Sequence, residues 1–163
     1  MTGAVAPRGS QHLDGPKKIL LSGVSSDAHM WNLIYLQLFI EESGHHVRNL
    51  GPCAPDELIL ENCVTWRPDV LVISTVNGHG HLDGVRLIRT LREAGGPLAT
   101  LPAVIGGKLG IHGIGNSRFH QQLLDAGFDA VFGAEAGIME FQRYLTMLGR
   151  YGHAVETTTV PAC

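Results

Sequence analysis

The run Val70-Leu71-Val72-Ile73 decides the fold, because it is apolar at every position instead of alternating between apolar and polar residues. Strands of this kind are buried on both faces, as they are in a parallel sheet that helices cover on either side. Ala103-Val104-Ile105 has the same character, and stretches with helical periodicity separate such runs along the chain. The sequence therefore predicts an α/β domain built on a parallel sheet.

Outward from that run, strands and helices alternate five times. We predict strands over residues 17–24, 46–50, 69–75, 102–106 and 129–133, and helices over residues 31–43, 55–66, 83–95, 116–126 and 136–149. Turn-forming residues support these bounds, since Gly44 follows the first helix, Pro55 opens the second and Gly127 ends the fourth. Five such units favour a flavodoxin-like, doubly wound five-stranded sheet in the order 2-1-3-4-5.

The 163 residues suffice for one domain with a sizeable core. Residues 1–16 contain several glycines and prolines among polar neighbours and are predicted to form a flexible leader. Residues 17–149 form the predicted domain, and residues 150–163 form a predicted flexible tail.

Composition limits the classes of partner. A net charge of −3 gives no electrostatic reason to expect nucleic acid as a ligand. The longest apolar run is far shorter than the ~20 residues that span a bilayer, so no membrane helix is expected. Three cysteines without C-x-x-C spacing, and no signal-peptide pattern, favour reduced thiols and a cytoplasmic location.

In a doubly wound sheet, ligands bind outside the carboxyl ends of the strands, where the strand order reverses. Asp27 and His29 follow the first predicted strand, Ser74-Thr75-Val76 ends the third, and Gly106-Gly107 ends the fourth. Glycine-rich, uncharged strand ends suit a large and mostly apolar ligand that approaches the backbone closely.

Asp27 and His29 are two residues apart, so in an extended loop their side chains point to the same side. A carboxylate that accepts the proton of one imidazole nitrogen fixes the tautomer and leaves the other nitrogen free to bind a metal. The pair therefore predicts that His29 is a metal ligand and that the Asp27 carboxylate orients its ring.

These residues, in this order and at these strand ends, resemble the D-x-H-x-x-G, S-x-L and G-G signature of cobalamin-binding domains. The resemblance spans about residues 17–149. The segments 77–84 (NGHGHLDG), 91–95 (LREAG) and 125–129 (DAGFD) are most similar to the small, cobalamin-binding subunits of glutamate mutase, also called methylaspartate mutase.

The resemblance implies that His29 binds the cobalt of adenosylcobalamin from below, with Asp27 as its hydrogen-bonding partner. It implies that Ser74 offers a hydroxyl to the displaced benzimidazole base, in a slot between the sheet and the first helix. Gly106 and Gly107 would let the backbone lie against this nucleotide tail. The remaining cofactor-binding residues are expected by adjacency: Ser26, Ala28, Met30, Thr75, Val76, Lys108, Leu109 and Gly110.

The resemblance further implies an isomerase subunit that takes part in the conversion of glutamate to 3-methylaspartate. A chain of this size has no barrel to enclose a substrate, so the substrate site is expected on a larger, barrel-type partner subunit, without which this chain is inactive. The alternative is a non-enzymatic corrinoid carrier or regulatory module.

Two positions depart from the family pattern. Val76 replaces the usual leucine, which is a small loss of apolar contact. Asn32 replaces the second glycine. The sequence leaves three roles open for Asn32: it narrows the slot, it adds a hydrogen bond to the tail, or it serves the helix N-terminus. His79 and His81 are expected in a loop as solvated or interface residues.

Other doubly wound classes fit less well. A phospho-receiver would carry paired acidic residues after the first strand, and a Rossmann dehydrogenase would carry G-x-G-x-x-G there. A flavodoxin would have a phosphate loop rich in Ser and Thr where this chain has Asp27 and His29. Methyl-transfer corrinoid carriers usually have a helical cap before the domain, and only about sixteen unpatterned residues precede the first predicted strand.

Overall fold

The computed structural model describes residues 15–109, 116–134 and 137–150, and all structural statements concern these residues. Five parallel strands form one sheet in the order β2-β1-β3-β4-β5, as predicted. The strands are β1 Lys18–Ser22, β2 His46–Asn49, β3 Val70–Thr75, β4 Ala103–Gly107 and β5 Ala130–Phe132. The helices are α1 Trp31–Glu42, α2 Asp56–Trp66, α3 Gly80–Glu93, α4 Asn116–Ala126 and α5 Gly137–Arg150.

Helices cover both faces of the sheet. On one face, residues of α2, α3 and α4 pack on Leu20, Leu71, Ile73 and Ile105. On the other face, α1 and α5 pack on alternate residues of the same strands. All six residues of β3 are buried, which explains why its sequence does not alternate.

The predicted helix ends have clear structural causes. Gly44 and Gly127 follow α1 and α4 with φ of 87° and 129°, a region that glycine adopts without strain. Arg67 ends α2 in the left-handed region immediately before Pro68. After α3, Gly95 and Gly96 both have positive φ, and a short 3-10 helix at Gly96–Ala99, which the sequence did not predict, leads into β4.

The start of α3 was predicted wrongly. The helix begins at Gly80, three residues before the predicted residue 83, because glycine allows its first turn to pack closely on β3. A Cβ added at Gly80 would lie 2.1 Å from Thr75 Cγ2. The glycines around residue 80 therefore mark a close contact between a helix and the sheet, where we expected a loop.

Parts of the predicted leader and tail lie outside the described residues, as do Gly110 and Cys163. Cys53 and Cys63 are free thiols. Within the described ranges, each helix is too short or too polar to cross a bilayer.

Candidate functional site

The loop between β1 and α1 carries Asp27 and His29 and is tied down by main-chain hydrogen bonds. Asp27 N donates to Val24 O over 3.0 Å, and Cys53 N donates to Asp27 O over 2.9 Å. The Asp27 side chain is 1% exposed, whereas the His29 side chain is 52% exposed. The loop thus buries the acid and presents the imidazole at the carboxyl edge of the sheet.

The Asp27 carboxylate accepts four hydrogen bonds. One carboxylate oxygen, Oδ1, accepts from His29 Nδ1 at 2.7 Å and from His29 N at 3.0 Å. The other oxygen, Oδ2, accepts from Thr75 Oγ1 at 2.8 Å and from Val76 N at 2.7 Å. Asp27 therefore joins the first loop to the end of β3 and orients the imidazole ring.

These contacts keep Asp27 ionised. Burial alone would raise the pKa of Asp27, but the hydrogen bonds from Val76, His29 and Thr75 outweigh it and lower the pKa to about 2. An ionised carboxylate only accepts hydrogen bonds, so the proton of a neutral His29 ring lies on Nδ1. Nε2 then carries the free lone pair that a metal ligand needs.

A second polar network braces the same loop. Ser26 Oγ donates a short hydrogen bond to Asp83 of α3 and accepts one from Asn77 Nδ2 at 3.0 Å. Arg86 donates to Asp83 Oδ1 at 2.7 Å and to Asp56 Oδ2 at 2.8 Å. Hydrogen bonds to Asp56 and then to Asp83 raise the pKa of Arg86 above its usual range. The predicted residue Ser26 thus anchors the loop to α3.

A cavity of about 470 Å³ opens at the carboxyl edge of β3, β4 and β5. The resemblance implied a slot between the sheet and α1, and in the structure α5 also lines this cavity. This volume lies within the range of small-molecule sites, and nearly all of the walls are apolar. The lining residues are Trp31, Asn32, Tyr35, Leu36, Val72, Ile73, Ser74, Val76, Val104, Ile105, Gly106, Gly107, Lys108, Phe132, Gly133, Ala134, Gly137, Ile138 and Phe141.

Ser74 and Asn32 are the buried polar side chains of this lining. Asn32 Nδ2 donates to Ser74 Oγ over 2.9 Å, and Asn32 is 5% exposed. Asn32 Oδ1 is buried without a hydrogen-bond partner among the described residues. The side chain of Asn32 therefore bonds across to β3 and does not cap the helix, where Met30 is the N-cap residue.

Gly106 and Gly107 line the cavity, and the fold itself also restricts which residues can stand at these positions. Gly107 has φ of 106°, and a Cβ there would lie 2.0 Å from the carbonyl oxygen of Thr75. A Cβ at Gly106 would lie 3.2 Å from Phe132 Cβ. A side chain at Gly107 would force the backbone of β3 to shift, whereas one at Gly106 would require Phe132 to move by a few tenths of an ångström.

The structure divides the other predicted residues into groups. Val76 and Lys108 line the cavity. Ala28 and Met30 are exposed beside His29 on the loop. Thr75 is fully buried and serves as a partner of Asp27. Leu109 is 3% exposed in the core beneath α3, so it packs against the protein and does not line the cavity.

His81 is not a solvated loop residue as we expected. It lies in the first turn of α3, where its ring stacks on Phe119 with the ring centroids 3.9 Å apart. Its Nδ1 lies 2.8 Å from Leu109 O, at a distance for donation to that carbonyl. His79 is exposed at the N-cap of the same helix, in agreement with its predicted exposure.

Sequence reasoning missed the residues that α5 contributes to the cavity, among them Ile138 and Phe141. A signal was available, because right-handed crossovers in a 2-1-3-4-5 sheet place the first and fifth helices on the same face. The hydrogen bonds that join Asp83 and Arg86 of α3 to the loop after β1 were also missed. Two charged residues on one helix gave no sign in the sequence that they contact a distant loop.

Among the described residues, no three His, Cys, Asp or Glu side chains are grouped as a metal cluster would require.

No family model matches the chain. It is 27% identical over 115 residues to the glutamate mutase sigma subunit of Treponema denticola, covering 71% of this chain and 81% of that one. It is 29% identical over 119 residues to the sigma subunit of Halobacterium salinarum, covering 73% and 78%. The predicted resemblance to the small subunits of glutamate mutase is confirmed.

Solved structures agree on the fold. A cobalamin-binding protein of Desulfitobacterium hafniense matches 80% of this chain with a TM-score of 0.63 and 22% identity. The monomethylamine corrinoid protein of Methanosarcina barkeri matches 84% of it with a TM-score of 0.64 and 15% identity. The chain spans about 60% of the length of each.

A CheY-like protein of Pseudomonas aeruginosa also matches, over 83% of this chain and 97% of its own, with a TM-score of 0.58 and 22% identity. The fold is thus shared beyond corrinoid proteins, and function must be argued from the site.

Proposed function

We propose that this chain is the cobalamin-binding subunit of an adenosylcobalamin-dependent mutase that converts glutamate to 3-methylaspartate. The observation that carries the proposal is the 2.7 Å contact between His29 Nδ1 and the buried Asp27 carboxylate. It leaves Nε2 of a half-exposed ring as a metal ligand at the sheet edge where doubly wound domains bind ligands.

The residues present fit the cofactor. A corrin ring supplies four nitrogen ligands to cobalt, so one axial histidine without a metal cluster is the donor set it needs. The cavity at the same edge of the sheet is lined mainly by apolar side chains, as an aromatic lower base requires. Its lining also includes the Ser74 hydroxyl and Asn32, whose Oδ1 has no hydrogen-bond partner among the described residues. A buried polar atom that lacks a protein partner favours a ligand that can pair with it.

Each part of the site has a separate task. His29 would hold the cobalt, Asp27 would keep the proton on Nδ1, and the cavity would take the nucleotide tail released from the metal. When bound, adenosylcobalamin supplies radical chemistry through homolysis of its cobalt–carbon bond. The protein's contribution is to bind and orient the cofactor and to exclude water from the tail.

The substrate site is assigned to a larger partner subunit. Glutamate carries two carboxylates, which paired arginines would hold well. Among the described residues near the site, Arg86 is already bound to Asp56 and Asp83. Apolar side chains on and just before α1, including Met30, Trp31 and Tyr35, are 51–65% exposed next to His29. A partner covering this face would bury both them and the upper surface of the cofactor.

Titration with adenosylcobalamin, followed by absorption spectroscopy, tests the proposal. We expect the base-off spectrum on binding. We expect His29→Ala to weaken binding by more than about 100-fold, beyond the range typical of changes to a ligand's supporting residues. His46→Ala is the matched control, since it removes an exposed histidine at the opposite end of the sheet.

Turnover tests the reaction. Glutamate-dependent formation of 3-methylaspartate after mixing with the large subunit of a glutamate mutase would support the mutase. Base-off binding without turnover would favour a corrinoid carrier or regulatory module. A folded protein that leaves the cofactor's spectrum unchanged would refute both functions.

A further inference from the structure

The loop between β1 and α1 is held by Arg86 and Asp83 of α3, to which the resemblance assigns no role. Arg86 donates to both carboxylate oxygens of Asp56, at 2.8 and 3.1 Å, and to Asp83 Oδ1 at 2.7 Å. Its Nη2 also donates to Ser25 Oγ at 2.9 Å. Asp83 is 8% exposed and accepts a hydrogen bond from Ser26 Oγ. One guanidinium and one carboxylate of α3 thus hold two consecutive residues of the loop.

The attachment is itself rigid. A guanidinium is planar and presents its donors in a fixed fork. Arg86 uses this fork to join Asp56 of α2 and Asp83 of its own helix to the loop. Arg86 is half-exposed, but the two carboxylates are largely buried, so water competes little for these hydrogen bonds. The loop is therefore attached to two helices that pack on the sheet.

The loop needs this attachment because its own helix does not supply one. Met30, the N-cap residue of α1, makes no side-chain cap hydrogen bond. The hydrogen bonds of Asp27 fix the loop to β3 and to Cys53, but they do so at one residue. A segment held at one residue can still turn about it. The bonds from α3 hold the two residues before Asp27 and remove that freedom from His29, which lies two residues after it.

Resting on the proposed function, we propose that Arg86 and Asp83 are positioning residues for cobalt ligation, which hold the loop so that His29 occupies its metal-binding position before the cofactor arrives. Among the described residues, the His29 ring hydrogen-bonds only to Asp27, so its place depends on the loop. Ordering a loop costs free energy, and a loop that is already ordered does not lose this free energy when the ligand binds. Both residues act on His29 through the loop.

A double variant, Ser25→Ala with Ser26→Ala, separates positioning from stability. It removes both hydrogen bonds from the loop to α3 and leaves the two ion pairs of Arg86 intact. It also removes the hydrogen bond from Asn77 to Ser26. Arg86→Met leaves that bond in place, so it repeats the test from the α3 side. Arg89→Met is the matched control, because Arg89 is exposed on the same helix.

Amide hydrogen exchange in the cofactor-free protein, followed by nuclear magnetic resonance, measures the order of the loop. The main-chain N–H groups of Asp27, His29 and Cys53 are hydrogen-bonded within the loop or to it. We expect them to exchange about tenfold faster in the double variant than in the wild type, as the loss of two hydrogen bonds predicts. Exchange in β3 should change by less than about threefold, because the sheet keeps its contacts. In Arg89→Met, all rates should equal those of the wild type.

Binding of two adenosylated corrinoids tests the effect on cobalt ligation. Cobalamin carries the nucleotide tail and cobinamide lacks it, and the absorption change on binding gives both dissociation constants. We expect Arg86→Met to weaken both by about tenfold, so that their ratio stays within about threefold of the wild-type ratio. In a His29→Ala background, Arg86→Met should have less than about a twofold effect, since no axial histidine remains to be positioned.

Several results would overturn the inference and leave the proposed function intact. Equal exchange of the loop amides in the wild type and the double variant would show that α3 does not order the loop. Unchanged affinities in Arg86→Met would show that the order does not matter for binding. A loss for cobalamin alone, or a loss that persists in His29→Ala, would place the effect of Arg86 in the cavity.

If Arg86→Met does not fold, the double variant supplies the same binding comparison, since it keeps both ion pairs of Arg86. If the wild type binds neither corrinoid, the proposed function fails and the inference fails with it.

Discussion

Replacing Asp27 with asparagine should destabilise the fold by about 2–4 kcal/mol at pH 7. The carboxyl pKa of about 2 in the folded chain lies below its ordinary value of 3.8, which corresponds to roughly 2 kcal/mol of stability. The amide adds a further cost, because all four partners of Asp27 are donors. One end of an asparagine side chain would point its own N–H groups at two of them.

The pH dependence has a definite sign. Because folding lowers the pKa, the contribution of Asp27 is fully present above about pH 3.8 and is lost as the pH falls toward about 2. The difference in unfolding free energy between the wild type and Asp27→Asn should therefore stay constant from pH 7 to about pH 5 and shrink below about pH 4.

Urea denaturation at several pH values measures this difference. Asp125→Asn is the control, since Asp125 is exposed and its carboxylate accepts a hydrogen bond only from Gln121 among the described residues. Its change should stay within about 0.5 kcal/mol. Two results would refute the assignment of Asp27 as a buried, ionised carboxylate that stabilises the fold. One is a free energy of unfolding for Asp27→Asn equal to that of the wild type at pH 7, and the other is a difference between the two proteins that grows as the pH falls.

Two further substitutions test the scaffold around the site by the same denaturation measurement. Gly107→Ala should cost at least about 3 kcal/mol, because it combines a positive φ with a Cβ 2.0 Å from a carbonyl oxygen of β3. Gly44→Ala has a positive φ in open space and should cost only about 1 kcal/mol, so equal losses would contradict the steric argument. Arg86→Met should cost about 1–3 kcal/mol by leaving the buried Asp83 without its cation, whereas Arg89→Met, exposed on the same helix, should change stability by less than about 0.5 kcal/mol.

The centre of the sheet could be predicted from sequence because β1, β3 and β4 are short runs in which most residues are buried. Val70–Thr75 and Ala103–Gly107 are apolar or small throughout, and turn residues separate them from the helices. The Asp27–His29 contact could also be predicted, because two residues that are so close in sequence have few arrangements in a loop. Short sequence patterns were therefore sufficient to predict contacts between residues that lie close together in the sequence.

The parts that were missed depend on residues that lie far apart in sequence. Three roles were open for Asn32, and only the packing of α1 on β3 shows that it bonds to Ser74. Residues of α5 line the cavity because α5 packs on the same face of the sheet as α1, which brings Phe141 and Tyr35 into one lining. The early start of α3 was missed because Gly80 was interpreted as a loop residue, although it marks close packing.

The central claim is that His29 replaces the lower base as the axial ligand of cobalt. Electron paramagnetic resonance of the cobalt(II) form, bound to protein labelled with ¹⁵N-histidine, tests it most directly. The account predicts that the nitrogen splitting changes from the three-line pattern of ¹⁴N to the two-line pattern of ¹⁵N. An unchanged three-line pattern would show that the unlabelled base still binds the metal, and it would contradict the account.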